Sequence, residues 1–205
     1  LKVVADAAGT SVEAALDGAR LRYRLGVPGA HWVTNSLGLL AVVAELGADV
    51  DDFAASLAGL RAEPGRGRPR TIAVDGGTAT LLDDAYNANP ASMRAALEVL
   101  AGAPGRKLAA LGAMKELGPT TAALHAALAE PIAAAGVARV FTAGAEMEAL
   151  AEALPADRHA GHGERAEDLV ARVRAELRPG DTLLVKGSLA SGMGRLVTAL
   201  VAEDG

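Results

Sequence analysis

The sequence predicts an α/β protein, a mainly parallel sheet with helices on both faces, preceded by a partial α/β segment. Three observations carry this reading. From residue 71 onward, short apolar strands alternate with helical stretches of about ten to fifteen residues, the pattern of βαβ units. The chain is 51% hydrophobic but only 2% aromatic, so its core must be built from Ala, Leu and Val. A run at 61–70 (RAEPGRGRPR), with prolines, glycines and arginines but no large aliphatic residue, separates this alternation from what precedes it.

The elements follow in order. Residues 2–5 and 19–25 read as strands. In the second, Arg20, Arg22 and Arg24 alternate with Leu21, Tyr23 and Leu25, the period of two of a half-buried strand. Residues 32–46 are apolar on nearly every face and predict a buried helix ended by Gly47. A helix over 50–60 follows, with Asp51 and Asp52 in its first turn, where the positive helix end favours them. Beyond the 61–70 linker, 71–74 and 78–82 form a hairpin through Asp75, Gly76 and Gly77. A helix over 91–100 has Asn89 suited to its N-cap and Pro90 to its first position. Then come strand 108–111, helix 121–135 (with Pro131 kinking or shortening it), strand 137–142, helix 145–154 and a short strand near His159. Helix 166–177, strand 182–185 and helix 193–201 complete a Rossmann-like arrangement. Ligands of such sheets bind beyond the carboxyl ends of the strands, so function belongs in the loops after Leu82, Leu111, Thr142 and Val185.

Composition bounds the function. At about 150 residues per domain, 205 residues make one large or two small domains. A formal charge of −5 with few aromatics excludes a nucleic-acid footprint. There is no cysteine, hence no disulfide, thiolate metal site or thiol nucleophile. No apolar run reaches the roughly 18 residues of a membrane span, and a cytoplasmic monomer is expected. The chain opens on Leu1, which reads as the interior of a longer gene product. No Gly-Lys dipeptide occurs, so there is no phosphate-cradling GxxxxGK[ST] loop. His159 and His162 form an HxxH pair in a polar stretch without other ligands, and read as solvated loop histidines rather than a metal site.

The informative stretch is DDAYNANP at 83–90, which follows an apolar strand and opens a helix. Two carboxylates at a strand's end repel each other unless a cation, hydroxyls or amide donors face them. A helix cap accounts for Asn89 and Pro90 but not for Asp83, Asp84, Tyr86 and Asn87 clustered beside them, which points to a ligand site.

DDAYNANPASMRAALEVL at 83–100 resembles the signature of the Mur ligases that add D-alanyl-D-alanine to the muramyl tripeptide. Four further stretches fit that family in the same order: GAHWVTN at 29–35, PGRG at 64–67, LGAMKELG at 111–118 and VKGS at 185–188. Each short match is weak alone, and the aspartate–asparagine motif is strong. The resemblance implies that residues 1–69 are the end of a central ATP-binding domain and 70–205 the carboxyl-terminal α/β domain. The phosphate loop and the Mg²⁺ ligands would lie upstream, so the chain alone should turn nothing over.

The activity so implied is ATP-dependent ligation of D-alanyl-D-alanine to UDP-N-acetylmuramoyl-tripeptide through an acyl phosphate. Arg66 matches the linker arginine that reaches the ATP phosphates, and is the catalytic candidate. His31, Asn35, Asp84 and Tyr86 match nucleotide positions, with Asp84 meeting the ribose. Asn87, Asn89, Lys186 and Ser188 would meet the dipeptide. Two departures stand out: Trp32 replaces a usual second asparagine, and Ala113 a usual aspartate. Alternatives are a sibling amino-acid-adding or folylpolyglutamate-type ligase, against which the Asn-Ala-Asn-Pro motif argues, and a non-catalytic α/β binding module.

Overall fold

The computed structural model describes residues 1–6, 9–16, 18–27, 29–61 and 63–202. They form two compact units, Leu1–Ala62 and Glu63–Gly205. In the first, strands β1 (Lys2–Asp6), β2 (Gly9–Leu16) and β3 (Ala19–Leu25) make an antiparallel sheet in that order. β2 was not expected. Its inward residues Thr10, Val12 and Ala14 do keep a period of two, but alanines and Glu13 between them blur the strand pattern.

Helix α1 (Ala30–Glu45) buries Val33 and Leu40 against this sheet together with α2 (Val50–Ser56), where Asp49 accepts a hydrogen bond from the Asp52 N–H as N-cap. The expectation that α1 is buried all round fails: Leu39, Val42 and Leu46 are exposed, because the three strands and α2 cover one side only. The helix expected over 50–60 is α2 and a 3₁₀ turn, Leu57–Gly59.

The second unit is a six-stranded sheet. In sequence order its strands are β4 (Arg68–Val74), β5 (Gly77–Asp84), β6 (Lys107–Gly112), β7 (Arg139–Ala143), β8 (His159–Gly163) and β9 (Thr182–Lys186). In space they run β4-β5-β9-β6-β7-β8. β4 is antiparallel to β5, and the other pairs are parallel. Part of the expected linker is therefore strand. Arg68, Pro69 and Arg70 pair with Asp83, Leu82 and Leu81. Pro69 is tolerated because β4 is an edge strand, where a missing N–H need not break a ladder.

Helices cover both faces. On one side α3 (Pro90–Ala101), α4 (Thr121–Ala126), α5 (Ala129–Ala134) and α6 (Glu148–Ala153) bury Leu97, Leu100, Ile132 and Leu150. On the other, α7 (Val170–Glu176) and α8 (Met193–Val201) bury Val173, Leu196 and Leu200 around Phe141 and Leu183. The single helix expected over 121–135 is two short ones. Pro131 has no N–H to give the Ala127 carbonyl and its ring crowds that oxygen, so the break falls at Ala127 and Leu128.

Candidate functional site

The site grows from strand order. β9, last in sequence, lies between β5 and β6, and the parallel register sets Lys186 opposite Asp84 on one side and Leu111 on the other. Residues 102 apart in sequence thus share one mouth. Lys186 is 2% exposed, and its Nζ donates to Asp84 Oδ2 at 2.7 Å and to the Asn87 carbonyl at 2.9 Å. A buried ammonium needs such partners, since an unpaired charge out of water costs several kcal/mol. The expected loop lysine is thus the floor of the mouth, and Asp84 is its counter-ion.

The loop after β5 is fixed locally. Asn87 Oδ1 accepts from the Ala88 N–H at 2.8 Å. Asn89 caps α3: its Oδ1 accepts from Ser92 N–H at 2.8 Å while Ser92 Oγ accepts from Asn89 N–H at 3.0 Å. Tyr86 is exposed, and the guanidinium of Arg66 lies over its ring, 4.2 Å from the centroid. A stacked guanidinium keeps its in-plane N–H groups directed outward, the geometry that suits phosphate oxygens. Ser188 is buried, its N–H donating to the Ala113 carbonyl at 3.1 Å. Its Oγ has no hydrogen-bond partner among the described residues.

Beside this mouth, at the carboxyl ends of β6, β7 and β8, opens a cleft of about 630 Å³. Its rim alternates charge: Lys115 pairs with Glu146, and Arg195 with Glu167 at 2.8 Å. The Lys115 ammonium holds the Glu146 carboxyl below its usual range, mainly through a direct hydrogen bond. Arg165 and Glu164 complete the rim. Ala113, buried in the wall, gives the cleft no carboxylate.

One contributor was not anticipated. His125 is fully buried, its Nε2 accepting from the Met114 N–H at 2.9 Å and its Nδ1 bonding the Thr121 carbonyl at 2.7 Å, which pins the loop after β6. Nothing in the sequence marks it beyond a histidine in an apolar helix. Asp83, singled out with its neighbours in the sequence, is buried. The HxxH histidines are half-buried on β8 rather than solvated in a loop, and both face the Thr142 hydroxyl: His159 Nε2 at 3.3 Å and His162 Nδ1 at 2.9 Å. Among the described residues no group of three or more His, Cys, Asp or Glu could hold a metal ion.

The structure brings Arg66, Asp84, Tyr86, Asn87, Asn89, Lys186 and Ser188 into the second unit. Asn35, exposed on α1, and His31, whose side chain lies outside the described residues, belong to the first. Trp32 packs against the first unit's own core.

A largely parallel sheet with a charged mouth at its carboxyl edge defines the class of nucleotide- or small-ligand-handling α/β domains. Residues 67–189 match the model of the Mur ligase glutamate ligase domain, and the chain belongs to the Mur ligase family. It is 39% identical over 91% of its length to a UDP-N-acetylmuramoyl-tripeptide–D-alanyl-D-alanine ligase of Mycobacterium tuberculosis, covering 41% of that protein. To the Escherichia coli protein of the same description it is 38% identical over 86% of its length, covering 38% of that protein. The chain thus spans about two fifths of the length of these relatives. Among solved structures, the MurF ligase of Thermotoga maritima in complex with ADP superposes with a TM-score of 0.79 at 26% identity, over 98% of this chain and 45% of that one. MurF of Acinetobacter baumannii gives 0.84 at 24% identity, a likeness of fold, over 97% of this chain and 43% of that one. No helix among the described residues is long and apolar enough to cross a membrane.

Proposed function

We propose that this chain is the nucleotide-closing and amine-receiving part of an ATP-dependent ligase that joins D-alanyl-D-alanine to UDP-N-acetylmuramoyl-tripeptide in the cytoplasm, acting as a monomer. The observation that carries the reading is the outward-facing Arg66 guanidinium stacked on Tyr86, next to the Asp84–Lys186 pair at the sheet's carboxyl edge. The printed names of the relatives support the substrates, and the ADP in the Thermotoga maritima structure supports the nucleotide. In this reading residues 1–69 close the central ATP-binding domain and 70–205 form the last domain.

A carboxylate resists attack by an amine because it already carries negative charge and has no competent leaving group. Transfer of the γ-phosphoryl group gives an acyl phosphate, and attack by the dipeptide amine then expels phosphate. Catalysis of both steps is mainly positioning and neutralisation of spread-out negative charge. Arg66 supplies a permanently charged, planar donor to the phosphates. Asp84 and Tyr86 serve the nucleotide on this unit, Asp84 toward the ribose, and the resemblance alone gives His31 and Asn35 a nucleotide role. Asn87, Asn89 and Ser188 face the dipeptide. Ser188 does so with an unpaired buried hydroxyl, and Lys186 with the third N–H of an ammonium whose other two are used. The neighbouring cleft, with alternating cations and carboxylates on its rim, fits a zwitterion. Mg²⁺ would support the phosphoryl step, and among the described residues no group of carboxylates or histidines fits it.

The test is Arg66→Ala in the whole ligase. Turnover should fall about a thousandfold, as when a charge-neutralising arginine is removed from other phosphoryl-transfer sites, with the melting temperature unchanged. An unaltered rate would remove Arg66 from the mechanism.

A further inference from the structure

The role proposed for Arg66 depends on where its backbone is held, and a buried carboxylate that no step above uses decides that. Asp83, near the end of β5, is 4% exposed. Its Oδ2 accepts from the Gly65 N–H at 3.0 Å, and its main-chain carbonyl accepts from the Gly67 N–H at 2.7 Å. The Arg70 Nε lies 3.8 Å from the same Oδ2. From the other side of the turn, the Tyr86 N–H donates to the Gly65 carbonyl at 2.9 Å. The residue between the two tethered glycines is Arg66, whose own N–H donates to the Glu63 carbonyl at 3.0 Å.

The approach is close enough to exclude a side chain. Gly65 has φ +77°, and a Cβ there would stand 3.1 Å from both the backbone nitrogen and the Cβ of Tyr86. The basic turn is thus laid flat on the loop that carries Tyr86, and the Arg66 guanidinium reaches that ring because the backbone on both sides of it is fixed.

We infer that Asp83 is a positioning residue of the ligase: through Gly65 and Gly67 it fixes the backbone of Arg66 so that the guanidinium rests on Tyr86 and faces the nucleotide's phosphates. The inference rests on the proposed role of Arg66. It goes beyond that role by assigning a function to a carboxylate that touches no substrate. A misplacement of about 1 Å at such a site can cost about a hundredfold in rate, so the tether matters even though it takes no part in the chemistry.

The experiment is a double-mutant cycle in the whole ligase, read as ATP-dependent phosphate release with both other substrates present. Asp83→Ala should lower kcat about 10- to 100-fold while the KM for ATP moves less than about threefold, because the lost interaction serves the transition state. Asp83→Asn keeps an oxygen that can accept from the Gly65 N–H and should recover most of the rate. In an Arg66→Ala background, Asp83→Ala should cost almost nothing further, since both changes remove one effect. If Asp83→Ala is as damaging without Arg66 as with it, the positioning role is overturned while that of Arg66 stands. If Arg66→Ala alone is harmless, the role of Arg66 falls and the inference with it. Should Asp83→Ala fail to fold, Asp83→Ser, whose hydroxyl oxygen stands one bond short of the carboxylate oxygen that accepts from Gly65 N–H, replaces it in the same cycle. Independent, multiplying effects would again refute the tether.

Discussion

Replacing Lys186 by methionine tests the architecture of the mouth most directly. The side chain keeps its length and loses its charge, so Asp84 and the Asn87 carbonyl lose the donors that lie 2.7 and 2.9 Å away. Hydrogen bonds to charged groups contribute about 1.5–3 kcal/mol each, which puts the gross loss at about 3–6 kcal/mol. Against this, methionine is spared the desolvation of a nearly inaccessible ammonium. Breaking a buried pair usually costs about 3–5 kcal/mol. The Asp84 side chain is 23% exposed and can regain water, which lowers the expected net to about 2–3 kcal/mol. For a domain of this size that is about 4–12 °C in melting temperature. The assay is thermal and urea unfolding of Lys186→Met beside the parent, with Asp84→Asn/Lys186→Met as the second arm. Removing the Asp84 charge in the double variant should restore part of the loss. A single variant within about 0.5 kcal/mol of the parent, or a double variant no better than the single, would refute the buried-pair argument. In the whole ligase, an unchanged KM for D-alanyl-D-alanine would separately remove Lys186 from dipeptide binding.

Two further outcomes follow from the second unit. Asp181, buried at the amino end of β9, accepts from Arg106 Nε at 3.1 Å and Nη2 at 2.8 Å and from the Arg178 N–H at 2.8 Å, and it raises the Arg106 pKa. Asp181→Asn should therefore lower stability by about 2–4 kcal/mol in urea unfolding. The KM for ATP should stay as it was, because this cluster sits at the opposite end of the strands from the mouth. Burial pushes the His159 pKa below its usual 6.5, so the unfolded chain takes up the proton first. Stability is then full above about pH 6.5 and is lost as pH falls toward the folded-state value. Urea midpoints measured at about pH 7.5 and about pH 5.5 should diverge less in His159→Gln than in the parent, and equal divergence would contradict the assignment.

Much of the second unit could be read from periodicity, because strands β6, β7 and β9 are buried on both faces and its helices carry apolar stripes such as Met93, Ala96, Leu97 and Leu100. The prolines and glycines that punctuate it act locally, and local effects are what a sequence displays. What stayed hidden was pairing across distance. Nothing in the order of residues says that β9 inserts between β5 and β6, so Lys186 could be given a dipeptide role from the resemblance, but its pairing with Asp84 could not be read. Asp83 was seen as part of a charge cluster, but its tie to Gly65 depends on β4 turning back along β5. In the first unit, β2 was missed because alanine and glutamate favour helix locally, and only the neighbouring strands make Gly9–Leu16 extended.

The strand order also bears on how such a protein is made. During synthesis β5 and β6 emerge long before the segment that must lie between them, and the mouth is unassembled until residue 186 arrives. Up to that moment two apolar strands wait with open edges, ready to pair with each other or with another chain. A ribosome that stalls within α7 would release a product that has most of the helices, no Lys186 opposite Asp84, and a strong tendency to aggregate. The same insertion makes the mouth a report on synthesis through β9, because only a chain that has reached that strand can form it.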